Sequence, residues 1–305
     1  MKSLPLVMTF AAFAAVAGAE SGIQGPVAGF VYDVRLHAIR PINGMPGAAV
    51  LGPALPLPMK ARQAAISGND FAVIISEEDG SVHLVRGLAG GAPETAALEG
   101  AMPGAARIVL DGSTALLHGE ESNRFQLITG LPAEPAVREP VDGPPGEARA
   151  MAVSGAGPRF AVGTADAVYL YNDGGPQLLA QAHEVSAMAF RDGGRDLVYA
   201  SRANNEVILV SGLDGGGGIS VLAGAAEGID NPVGLASVNG GRELWVANAG
   251  TGSVVVLDEA APGSPHLTPL AATPTRCDSL DGKSLLIFND AGSGPVLLDR
   301  KSTRL

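Results

Sequence analysis

The chain has 305 residues, with 20 basic side chains against 31 acidic ones and a formal charge of −11; this excess of acid opposes binding to nucleic acid and to anionic lipid. Its single cysteine, Cys277, excludes an internal disulfide, so stability must come from packing. Aromatic residues make up only 4% of a chain that holds 42 glycines, which favours thin, closely packed sheets.

The first residues, Met1-Lys2-Ser3, lead into an apolar run from Leu4 to Gly18 and then Ala17-Gly18-Ala19 before Glu20. This is the three-part layout of a secretory signal peptide, so residues 1–19 are expected to be removed. The mature chain would keep 19 basic residues against 31 acidic ones, a formal −12. No later run approaches the roughly 18 apolar residues of a membrane span, and a soluble periplasmic or extracellular product is expected.

Next come Val27-Ala28-Gly29-Phe30-Val31-Tyr32-Asp33 and Ala38-Ile39-Arg40-Pro41-Ile42, read as the third and fourth strands of a unit without its inner pair. The basis is that Gly44-Met45-Pro46-Gly47 resembles the Met102-Pro103-Gly104 that ends a later unit. Residues 48–60 are rich in Ala, Leu and Pro, and the prolines favour an extended surface strap over a central strand.

From Arg62 onward a unit of roughly 42 residues recurs. Its opening strands align at Arg62, Arg107, Arg149, Ser186, Val233 and Arg276, in steps of 45, 42, 37, 47 and 43 residues. Two alternating runs follow each opening, such as Leu197-Val198-Tyr199-Ala200 with Val207-Ile208-Leu209-Val210. Periodicity of this length marks a β-propeller.

The expected fold is all-β: one propeller domain over residues 20–300, built of four-stranded blades, seven-bladed when complete and truncated as given. The last unit lacks a fourth strand and the first its inner pair, which would leave the ring with open edges. Residues 301–305 break the pattern and read as a non-native or disordered tail. Cys277 falls in the last opening strand, where a buried small hydrophobe is expected.

Gly241-Arg242-Glu243-Leu244-Trp245-Val246-Ala247-Asn248 followed by Val254-Val255-Val256-Leu257-Asp258 resembles the YVTN-type repeat of bacterial secreted propellers. The likeness is looser over residues 196–211 and 160–172. It implies a seven-bladed fold with a scaffolding or binding role, and brings no shared catalytic residues.

Arg62, Arg149 and Arg276 occupy matching positions five residues before the Ser or Asp of the following turn, and Arg107 lies one residue out of register. Four guanidinium groups around one channel mouth would bind a carboxylate, a phosphate or an acidic peptide through their fixed bidentate donors. The alternative is that each arginine pairs with an acid in the neighbouring blade and ties the ring together. Glu77-Glu78-Asp79, Glu120-Glu121, Asp166, Asn204-Asn205, Asn248 and Asn289-Asp290 are expected on the same face. They match no calcium loop and suit hairpin turns for backbone reasons alone. The five histidines, His37, His83, His118, His183 and His266, show no metal-ligand spacing. Gly282-Lys283-Ser284 is followed by a hairpin pattern rather than a helix, and no Gly-x-Ser-x-Gly elbow is present.

The reading is a secreted or periplasmic, non-catalytic binding or scaffold module for a protein or an anionic polymer, without cofactor or metal. A lactonase- or lyase-like, metal-dependent propeller enzyme is the alternative.

Overall fold

The computed structural model describes residues 26–299 apart from 45–48, 69, 173–174, 262, 281–284 and 290–296. The leader expected at 1–19 and the tail expected at 301–305 lie outside the described residues.

Seven antiparallel sheets, blades I to VII in chain order, stand around a central channel. Blade I holds β1 (Val27–Asp33), β2 (Ala38–Asn43) and β3 (Val50–Leu51). Blade II holds β4 (Ala61–Ser67), β5 (Phe71–Ser76), β6 (Val82–Arg86) and β7 (Glu94–Ala97). Blade III holds β8 (Arg107–Asp111), β9 (Thr114–Gly119), β10 (Arg124–Thr129) and a split outer strand, β11 (Ala136–Val137) and β12 (Val141–Asp142). Both halves of that split strand pair with β10, and Pro140, without an N–H, lies at the break.

Blade IV holds β13 (Ala150–Val153), β14 (Phe160–Gly163), β15 (Ala167–Tyr171) and β16 (Pro176–Gln181). Blade V holds β17 (Val185–Arg191), β18 (Asp196–Ser201), β19 (Glu206–Val210) and β20 (Ile219–Ala223). Blade VI holds β21 (Pro232–Val238), β22 (Glu243–Asn248), β23 (Ser253–Asp258) and β24 (His266–Pro269). Blade VII holds β25 (Asp278–Ser279), β26 (Leu285–Ile287) and β27 (Leu297–Asp299).

Within a blade the middle strands are apolar on both faces, because each face packs on a neighbouring sheet. All six residues of β5 and of β22 are buried, and Trp245 is fully enclosed between blades VI and VII. Small residues let the first strands approach closely. A Cβ on Gly234 would collide with the backbone of Arg276 and Cys277 in the next blade. This is the physical return on a chain so poor in aromatics. Cys277 itself is buried, its thiol directed at the Trp245 carbonyl oxygen. Val31 and Ile42 of blade I share a cluster with Leu280 and Ile287 of blade VII, so the ring closes by side-chain packing.

One expectation for blade I is corrected. β1 and β2 are a second and a third strand, with β3 as the fourth. In blades II, V and VI the second strand ends on a small polar residue, and a left-handed residue follows four positions later: Ser76 and Gly80, Ser201 and Asn205, Asn248 and Gly252. Asp33 and His37 (φ 54°) repeat that spacing. Asp33 Oδ1 accepts from the Arg35 and Leu36 amides as Ser76 Oγ accepts from Glu78, which is the same turn. Burial pushes the Asp33 carboxyl up, but the Arg40 guanidinium at 2.9 Å and these two amides outweigh it and hold it low. The strap expected at 48–60 lies along the outer edge of blade I. Val50–Leu51 pairs with β2, and the Gly52 and Leu55 amides continue to Pro41 and Ile39 carbonyls.

A candidate binding site at the channel mouth

The first strands β4, β8, β13, β17, β21 and β25 run in one direction along the channel. Arg62 meets Ala105 where β4 and β8 begin, and Ser67 meets Gly112 where they end. The end at which these strands begin is termed here the upper mouth. The turns between second and third strands share it: the Glu77 amide donates to Lys60 O, and His37 Nδ1 lies 3.3 Å from Glu77 Oε2.

β1 runs the other way. The hydroxyl of Tyr32, near its end, reaches the carbonyls of Ala61 and Arg62, at the start of β4. Gly29, near its beginning, abuts Leu280, just past the end of β25. A second strand does run opposite to the first strands, so direction and turn chemistry agree.

The channel forms a cavity of about 670 Å³ walled by the first strands and by β1. Its wall is largely small and apolar, with Ala64 on blade II and Ala152, Ala189 and Ala236 on blades IV, V and VI, and its polar groups collect near the mouths. All four sequence-selected arginines stand at the upper mouth. Arg62 donates to Ala105 O. Arg107 donates to Ala148 O at 2.6 Å and to Arg149 O at 3.0 Å. Arg149 lies 3.7 Å from Glu184. Each thus reaches the residues where the next blade begins. Arg276 pairs with Asp278 in its own strand segment. Only Arg62 and Arg276 line the cavity, and they flank blade I. Burial lowers the Arg107 pKa, against the opposing pull of Glu120 and Glu147, yet an arginine remains charged throughout the physiological range.

The acidic turns divide between roles. Asp79 Oδ1 accepts from the Ser81 amide and hydroxyl, which hold its carboxyl down to about 2. Asn248 bridges the Asp230 amide and Gly228 carbonyl. Among the described residues no three His, Cys, Asp or Glu side chains gather closely enough to hold a metal ion.

The sequence pass missed the ties of the lower mouth. Arg191, buried, donates to Gly241 O and pairs with Glu259, while Arg159 bonds Gly194 O and Asp214. Gly155 N donates to Asp111 at 2.8 Å. The signal available was an arginine at the far end of an opening strand, but its carbonyl acceptors leave no mark in a sequence.

Solved structures match this arrangement over most of its length. Hydrazine synthase from Kuenenia stuttgartiensis superposes with a TM-score of 0.62 at 12% identity, covering 94% of this chain and 99% of that one. A Lactobacillus plantarum protein gives 0.61 at 15% identity, covering 92% and 93%. A chain of a nidogen/laminin complex gives 0.51 at 14% identity, covering 81% and 98%. The chain is a β-propeller. At these identities the likeness establishes the propeller fold alone. No family model and no curated protein matches the sequence. Among the described residues the propeller contains no helix long and apolar enough to cross a membrane.

Proposed function

We propose that this propeller is a non-catalytic binding module, secreted or periplasmic, that holds an anionic protein or polymer partner at the upper mouth. The observation that carries the reading is the placement of Arg62, Arg107, Arg149 and Arg276 at the starts of four first strands of a chain with charge −11. First strands are innermost, so these cations form the inner rim, with the acidic hairpin turns farther out. A positive rim inside a negative surround orients an anionic segment toward the channel and away from the outer wall. The leader-like segment at residues 1–19 supports export, and the YVTN-like residues 240–258 support a binding or scaffold role.

The test is binding of polyglutamate and of a sulfated oligosaccharide at low and high salt, with the triple variant Arg62→Gln, Arg149→Gln, Arg276→Gln alongside. The wild type should bind with affinity that falls steeply as salt rises, and the folded triple variant should bind weakly with little salt dependence. Absence of salt-sensitive binding to either anion, or unfolding of the triple variant, assigns the arginines to holding the ring together.

A further inference from the structure

From the upper mouth to mid-channel, polar side chains of the wall lie on the two blades that flank blade I: Arg62 and Gln63 on blade II, and Arg276, Asp278 and Ser279 on blade VII. Phe30 and Tyr32 of β1 stand between the two sets, and Met151, Met188 and Leu235 line the same cavity from blades IV, V and VI. We propose that this stretch of the channel is a binding site for a hexuronic acid residue, a sugar whose carboxylate meets Arg62 and whose hydroxyls meet Gln63 and Ser279. The inference rests on the anion-binding reading above and names the class of anion.

Gln63 is out of keeping with its place in the fold. It follows the register shift between the first and second strands of blade II, and the residues in that place on blades V and VI are Ala187 and Gly234. Its Oε1 is buried and has no hydrogen-bond partner among the described residues, and the same holds for Ser279 Oγ. Buried oxygens left so are costly, and a ligand that satisfies them gains by it. A carboxylate has no proton to give and leaves Gln63 Oε1 unmet. A hydroxyl donates to Gln63 and both donates to and accepts from Ser279. The occupant therefore carries hydroxyl groups beside its charge.

The charge is a single one. Arg276 is paired with Asp278, and two arginines less one aspartate leave one positive charge on this part of the wall. Arg62 gives one nitrogen, Nη2, to Ala105 O, and its guanidinium carries further donors on the other two. Asp111 lines the cavity toward the lower mouth and opposes an anion there, so the carboxylate end stays up. The apolar C–H faces of a sugar ring suit the ring of Tyr32 and the adaptable side chains of Met151 and Met188. A cavity of about 670 Å³ falls within the roughly 300–1,000 Å³ of small-ligand sites.

The experiment is isothermal titration of the whole chain with glucuronate and galacturonate, which differ at one hydroxyl, and with glucose and hexanoate, which lack the charge and the hydroxyls respectively. A short oligomer of the better-bound uronate and polyglutamate complete the set. The better uronate should bind about tenfold or more tighter than glucose or hexanoate, as loss of one well-placed charged or orphan-satisfying hydrogen bond implies, and more weakly as salt rises. Gln63→Leu and Ser279→Ala should each weaken it several-fold while leaving hexanoate binding and the melting temperature unchanged. Tighter binding of the oligomer supports the site as one for the end of an acidic polysaccharide, and equal binding supports it as one for the free sugar acid. Hexanoate binding as tightly as the uronate, or no binding of either uronate, overturns the inference. If polyglutamate still binds in a salt-sensitive way in that case, the functional reading survives and only the sugar falls. Glucose binding as tightly as the uronate, without salt dependence, overturns both. Unchanged uronate affinity in the two variants places the sugar elsewhere, and a lowered melting temperature assigns their oxygens to holding the blades; each overturns the site.

Discussion

The hydroxyl of Tyr32 lies 2.7 Å from the carbonyl oxygen of Ala61, which places the end of β1 beside the beginning of β4. A neighbouring pair of first strands brings beginning to beginning, as Arg107 and Ala148 do. This one contact therefore shows that blade I meets the channel with a second strand. It also fixes where blade I and blade II are joined, since Arg62 O lies at the same distance from the hydroxyl.

Tyr32→Phe keeps the ring and removes that donor. Tyr32 is buried, so the substitution leaves carbonyls facing an apolar ring edge and should cost about 1–2 kcal/mol in urea denaturation. A change within a few tenths of a kcal/mol would mean that the hydroxyl does not tie the two blades.

Gly234→Ala tests the close approach of blades VI and VII. The added Cβ meets backbone atoms of Arg276 and Cys277, which cannot rotate away as a side-chain tip would. A loss of about 1–3 kcal/mol is expected, read as a lower melting temperature. Gly157→Ala, where nothing lies within 4 Å of the new methyl, is the control and should leave the melting temperature nearly unchanged.

His118 gives the stability a pH dependence. It is buried and stacked on Phe125 with ring centroids 4.4 Å apart, and burial first, then the Arg107 charge, lowers its pKa. The folded state therefore resists a proton that the unfolded state accepts below about pH 6.5. Its contribution is complete above that pH and falls as the pH drops from there toward the lowered folded value. His118→Phe retains a flat ring against Phe125 and should flatten the denaturation midpoint between neutral and mildly acidic pH. A wild type and variant with parallel pH profiles would exclude His118 as the source.

Much of the ring was legible because its repeat is strict where chemistry demands it. The openings at Arg107 and Val233 fall on or within strands β8 and β21, and the runs after them are the second and third strands. Blade I was misassigned because β1 and β2 are two apolar strands without an alternating outer face to rank them. The ranking lay instead in Asp33 and His37, the polar stop and left-handed residue of a second-to-third turn. The arginine positions were legible as a set, since register alone groups them. Their acceptors were not, because Ala105 and Ala148 take part through backbone carbonyls that any residue supplies. That Ile287 and β1 both line the cavity depends on how blades VII and I meet across the ring, and no local pattern records that.

Residue-resolved hydrogen exchange on β1 of the free protein tests the central claim most directly. In β5 and β22 both edges are paired, β5 by β4 and β6 and β22 by β21 and β23, so their amides should all exchange slowly. Among the described residues β1 pairs with β2 alone. Amides along an antiparallel strand point alternately to its two edges, so roughly half of those in β1 should exchange fast while their neighbours stay protected. Uniformly slow exchange from Val27 to Asp33, matching β22, would show that both edges of β1 are paired and would contradict its placement as a channel-facing strand paired on one edge.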